Sequence, residues 1–227
     1  MKSKGKVMSL FVSVLLVSVI LTYTPLNVDH QLAMTDGAGQ ESTDTILHNQ
    51  SNNIVTAGDD HDPIIINGNQ EFLDTAILET WVGEGIAGDP YIIEGYDIDR
   101  NGEDGNCILI ENTTVHFVIR NCFLARANQS SRAGIWLTNV SNCLIDNNVF
   151  YENRLGISGN IENCTIVDNT IIGIANGGPV DWAIWLQDSN FTSIVRNTMN
   201  VTDYGVRLNL CKFSTIEDNT IRDIDSR

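Results

Sequence analysis

Basic residues are scarce. Lysine and arginine number 13 against 29 aspartates and glutamates, so the 227-residue chain has a formal charge of −16. A surface of that sign repels nucleic acid and anionic lipid and counts against an unaided grip on polyanions. It suits an exposed, soluble protein that holds cations if it holds any ion. Helical periodicity is missing from Pro63 onward, which excludes leucine-rich and helical repeats. A soft-metal set is missing too, because no methionine, histidine and cysteine cluster together.

What is present begins with an export pattern. Lys2, Lys4 and Lys6 precede an apolar run from Val7 to Thr22. The run is shorter than the roughly 20 residues of a transmembrane helix, and no clear small-x-small cleavage site follows it. Residues 1–25 therefore read either as a signal peptide or as an uncleaved anchor. The anchor would be the only membrane contact expected, and a secreted or cell-surface location follows from both readings. Residues 26–62 are polar, acidic and aperiodic, the composition of a flexible spacer. Packed structure is expected from "PIIING" at 63–68, with a cap and first coil over 63–105 and repeats over 106–227.

The repeats share a hexamer: "IVDNTI" (166–171), "IVRNTM" (194–199) and "IEDNTI" (216–221), with weaker copies around Asn121 and Asn148. Taking Asn121, Asn148, Asn169, Asn197 and Asn219 as origins, an apolar residue stands three before and two after each. The segments "CILIEN", "GIWLTN", "AIWLQD" and "GVRLNL" lie fourteen to nine residues upstream, and "GISGN" is the same unit one residue short. The origins step by 27, 21, 28 and 22, so the length variation falls in one connection: 124–133, 151–154, 172–182 and 200–204. Within the constant part, apolar residues alternate with period two, as strands do. Short strands at this spacing bury a face only by stacking on neighbours, which predicts an all-β parallel β-helix of five to six coils. The asparagines are expected at tight bends that tolerate left-handed backbone, with amides stacked as a ladder.

Stacking turns equal offsets into columns. Alternation points Trp136 and Trp185 outward, in the column Leu109, Trp136, Ser158, Trp185, Arg207. Two coils separate them, about 9.6 Å at the usual strand spacing, a workable distance for stacking sugar rings. Trp182 comes from the 172–182 connection, and Arg126 and Arg132 from 124–133. The competing reading has these loops fold over the tryptophans as ordinary packing. Arg120, Asn147, Asp168, Arg196 and Asp218 form a column that reads as a surface charge ladder. His116 shares a column with Cys143, Cys164, Thr192 and Ser214 and is expected in the interior. Cys143 and Cys164 fall on adjacent coils at a separation a disulfide accepts, or stack as reduced thiols. Asn112, Asn128, Asn139, Asn190 and Asn200 start N-x-[ST] sequons, a weak sign of exposure. Asp97, Asp99, Glu103 and Asp104 in "DIDRNGEDGN" read as a solvated acidic loop, with calcium the alternative.

"GDPYIIEGYDID" (88–99) and "GIWLTNVSNCLIDNNVFYEN" (134–153) resemble the right-handed β-helix repeats of the pectin-lyase-like superfamily. They are most similar to the NosD-type, or carbohydrate-binding and sugar-hydrolysis (CASH), repeats. The resemblance covers about residues 63–227 and implies a right-handed helix. It says little of activity, because the architecture serves lyases, hydrolases, adhesins and accessory proteins. The paired aspartates with "GHG" and "RIK" of polygalacturonase-like members are absent, and the exposed copper ligands that the NosD name suggests are missing. No cofactor is expected beyond a weakly indicated calcium. Carboxylates such as Asp146, Asp168 and Asp188 are scattered, whereas glycosidic acid–base work needs two about 5–9.5 Å apart. The expected function is a non-catalytic module that binds a polysaccharide or cell-surface glycan through Trp136, Trp185 and Trp182, or that builds a surface-interaction face from the outward tryptophans and variable loops. The alternative is a polysaccharide lyase or glycoside hydrolase with its site in loops 124–133 and 172–182.

Overall fold

The computed structural model describes residues 58–129, 131–173, 182–201 and 204–223. Alternating apolar residues build three parallel sheets of seven, six and six strands, numbered in chain order. The first face holds β2 (Ile64–Asn67), β5 (Ile108–Thr113), β8 (Ala133–Ser141), β11 (Leu155–Glu162), β14 (Trp182–Gln187) and β17 (Tyr204–Asn209). The second holds β3 (Tyr91–Glu94), β6 (Phe117–Arg120), β9 (Cys143–Asp146), β12 (Thr165–Val167), β15 (Ser193–Val195) and β18 (Thr215–Glu217). The third holds β1 (Asp59–Asp60), β4 (Tyr96–Asp99), β7 (Phe123–Ala125), β10 (Val149–Tyr151), β13 (Thr170–Ile172), β16 (Thr198–Val201) and β19 (Thr220–Asp223). Each strand pairs with its counterpart one repeat away, so the chain winds as a parallel β-helix of about five turns.

The core is a set of columns. Ile64, Ile108, Ile135, Ile157 and Ile184 stack from the first face. Ile93, Ile119, Ile145, Ile166 and Ile194 stack from the second. Ile98, Leu124, Phe150, Ile171 and Met199 stack from the third. All are at most 3% exposed, so each is worth about 1.5–3 kcal/mol of burial. Helix α1 (Asn69–Leu78) closes the N-terminal end after Gly68, whose φ of 97° only glycine takes readily. It drives Phe72 between Tyr91, Phe117 and Trp81, with ring centroids 5.7, 5.1 and 5.8 Å away.

The repeat asparagines stack as the expected amide ladder, but they do not hold the left-handed position of the bend. Asn148, Asn169 and Asn197 are interior and at most 1% exposed. Each accepts the backbone N–H of the preceding rung, and the Nδ2 groups of Asn148 and Asn169 donate to the next amide. The left-handed turn falls one residue earlier, at Asn121, Asn147, Asp168, Arg196 and Asp218, with φ between 52° and 55°. That column contains Asn121 rather than Arg120, so the first repeat stands one residue off the expected register. The shift arises between Thr113, paired with Val140, and Phe117, paired with Cys143. Cys122 therefore stands at the first rung, and its backbone N–H donates to Asn148 Oδ1. Phe117, not His116, fills the interior position, and His116 is only half-buried. Arg120 instead faces Glu94 and bonds it at 2.6 Å, while Arg196 grips Asp168 through two bonds of 2.8 and 2.6 Å.

Candidate functional site: a groove on the first face

The column Leu109, Trp136, Ser158, Trp185, Arg207 is present as neighbouring positions of β5, β8, β11, β14 and β17. Ser158 stands between the two tryptophans, which are half-buried. Three departures from the repeat coincide on this coil. Serine replaces tryptophan, and Gly159 takes the position that Leu137 and Leu186 hold on either side. A Cβ at Gly159 would lie 2.2 Å from the Leu137 carbonyl oxygen, so only glycine allows this close approach. The missing residue of "GISGN" appears as a register shift between Asn160 and Ile161, a bulge that re-aims side chains.

The result is an open groove of about 220 Å³. Trp136 and Trp185 flank it, Ser158 and Gly159 lie between them, and Thr138, Asn160 and Gln187 edge it. Trp136 Nε1 donates to Thr138 Oγ1 at 3.0 Å. Trp185 Nε1 is buried and has no acceptor, and the same is true of Trp182 Nε1. Trp182 does not line the groove. It stacks on Tyr204 at 4.3 Å, and the Arg207 guanidinium lies 5.2 Å from the Trp182 ring and 5.5 Å from the Trp185 ring.

Among the described residues no carboxylate lines the groove. The two arginines of 124–133 turn the other way: Arg126 Nε donates to Asp99 at 2.8 Å, and Arg132 grips Asp104 at 2.6 and 3.0 Å. Asp99 and Asp104 of the acidic loop are thus committed to arginines. The Arg132 hydrogen bond holds the Asp104 carboxyl below the usual range, and the Arg120 hydrogen bond does the same for Glu94. Burial, then the nearby Asp168 charge, pushes the Asp146 carboxyl upward. Of the 172–182 connection, residues 174–181 lie outside the described residues, as do residues 1–57 with their export segment and most of the spacer.

Cys143 and Cys164 form a bonded pair with Cα atoms 4.6 Å apart. Cys107 and Cys122 are buried, and burial pushes their thiols up to about 12 and about 11, so they stay protonated. Asn112 and Asn139 are exposed, but their amides form an outer ladder: Asn139 donates to Asn112 at 3.0 Å, and Asn112 to Asn67 at 2.9 Å. Asn190 Oδ1 accepts the Lys212 N–H at 3.1 Å, and Asn128 and Asn200 are half-buried. The outer ladder escaped sequence reasoning, although the left-handed bend it occupies leaves a signal in Asn112, Asn139 and Asp188.

Fold and groove together define a parallel β-helix with an aromatic-flanked notch on one face. The family model described as "Periplasmic copper-binding protein (NosD)" matches residues 65–226, and the chain belongs to that family. No curated protein and no solved structure matches it. The periplasmic description accords with export, and no helix among the described residues is long and apolar enough to cross a membrane. Copper fits poorly. Among the described residues no three of His, Cys, Asp and Glu converge on one point, and the soft donors Cys107, Cys122 and Met199 are sealed in the core.

Proposed function

We propose that this exported β-helix module binds a glycan without cleaving it, in the groove between Trp136 and Trp185. The observation that carries the reading is the coincidence of Ser158, Gly159 and the Asn160 bulge between two outward tryptophans. Aromatic flanks with a few hydrogen-bonding groups at the edge are how proteins hold sugar faces. Among the described residues the groove has no carboxylate, which supports binding over catalysis, since hydrolysis needs an acid–base pair beside the scissile bond.

The test offers the full chain a panel of soluble polysaccharides and scores binding and product release together. Binding without release is expected, and Trp136→Ala/Trp185→Ala should weaken it by about thirtyfold or more, the loss of an interface anchor. Release of unsaturated or reducing-end products would make the protein a lyase or hydrolase. Binding unchanged in the double variant would remove the groove from the account.

A further inference from the structure

We infer that the group held in the groove is the acetamido substituent of an N-acetylated sugar. This rests on the glycan-binding reading of the same groove and narrows its ligand class. None of the described lining residues is charged, in a chain of net charge −16. The lining itself offers no counter-ion to a uronate carboxylate or a free amine: Arg207 lies against the Trp185 ring and Asp188 beside Gln187, both outside it, so a charge between the indoles would be desolvated at a cost. An unsubstituted sugar would bring hydroxyls but nothing to fill the apolar space between Trp136 and Trp185.

The edge of the groove is an amide receptor. The Asn160 carboxamide is exposed and makes no hydrogen bond within the protein, so it offers both a donor and an acceptor. Gln187 donates through Nε2 to Asp188 Oδ2 at 3.3 Å, which leaves its oxygen free to accept. Thr138 accepts from Trp136 Nε1 and keeps its hydroxyl proton to donate. One carbonyl, one N–H and one methyl complement this set: the carbonyl and N–H pair with Asn160 and Gln187, and the methyl packs on the indoles.

The experiment titrates the full chain calorimetrically with the β-1,4-linked hexamer of N-acetylglucosamine and with the glucose hexamer of the same linkage. A preference of about tenfold for the acetylated hexamer is expected, which corresponds to 1.4 kcal/mol. Asn160→Ala should cut that preference to about twofold, weakening the acetylated hexamer far more than the glucose hexamer. Gln187→Ala serves as a second variant should the bulge not tolerate the first. Equal binding of the two hexamers overturns the acetamido assignment and leaves the glycan groove standing. Binding of neither brings down both. A preference that survives both variants overturns the assignment as well, since the acetamido group would then sit elsewhere.

Discussion

Asn169→Ala should cost the fold more than its small size suggests. The Asn169 side chain donates to the Ile145 and Val167 carbonyls and to Asn197 Oδ1, each at 2.9 Å. Its oxygen accepts the backbone N–H and the Nδ2–H of Asn148, both at 3.0 Å. Alanine removes the acceptor and leaves the Asn148 N–H unpaired in a site closed to water, a loss of about 1–3 kcal/mol. The void left by the carboxamide adds roughly 1 kcal/mol, for a total of about 3 kcal/mol. Asn219 makes the same kind of bonds, to Ile194 and Glu217 carbonyls and from Asn197, but it is only half-buried. Water can replace its partners, so Asn219→Ala should cost about 1 kcal/mol or less.

Urea unfolding followed by far-UV circular dichroism reads the difference. With a slope of about 2 kcal/mol/M, the midpoint should fall by about 1.5 M for Asn169→Ala and by at most about 0.5 M for Asn219→Ala. Asn169→Asp, which keeps the volume and loses the donor, should be at least as damaging as alanine, because a charge is then buried without a partner. Equal shifts at 169 and 219, or a mild aspartate, would refute the view that buried amide donors hold the coils together.

Reducing the Cys143–Cys164 bond, or replacing both residues by serine, should cost about 3 kcal/mol in the loop-entropy treatment for a separation of 21 residues, measured as a fall in the urea midpoint. Asp146 ionises at a cost in the folded state, because its folded pKa is raised. Asp146→Asn should therefore raise the midpoint at pH 7, and the gain should vanish as pH falls through the folded pKa of the wild type and its carboxyl takes up a proton. Melts of both proteins at several pH values check the sign, and a gain that grows on acidification would contradict it. Ser158→Leu puts into the groove the residue that Leu109 already supplies to the same column. It should leave the midpoint unchanged or higher while cutting glycan binding by about tenfold or more. Intact binding would move the site off the first face.

The strong part of the sequence signal was the apolar columns, because parallel stacking needs every coil to present the same inward residue at the same place. Ile145, Ile166 and Ile194 could be read directly, and so could the outward column of Trp136, Ser158 and Trp185. The first coil misled, for a physical reason. Asn121 occupies the left-handed bend and Cys122 the interior rung, and an asparagine suits the first as well as the second. Only the burial of Phe117 in place of His116 distinguishes the two alignments, and that is a tertiary fact. The groove was half legible. The tryptophans and the short "GISGN" unit were visible, but joining them needed the register shift at Asn160 and the close approach at Gly159, and neither is written in residue types alone.

Among the described residues, the coil that opens with β11 does less than its neighbours for the fold. In a solenoid, stability is close to a sum over coils and their interfaces, so a coil that gives up packing weakens its own rung. Gly159 forgoes the burial that Leu137 and Leu186 supply, about 2 kcal/mol, and glycine in a strand costs roughly 0.5–1 kcal/mol more. The Asn160 bulge leaves one residue of β8 without a partner, since Asn160 pairs with Thr138 and Ile161 with Val140. All three losses fall on the stretch Ser158–Asn160, between the strands that carry the two indoles. A coil shaped only by stability would have kept leucine and full register there, as the coils on either side do. The copper in the family's description finds no comparable concession: among the described residues no three of His, Cys, Asp and Glu meet at one point, and the Cys107 and Cys122 thiols are buried and protonated. The structural sacrifice is at the groove, and the search for a ligand belongs there.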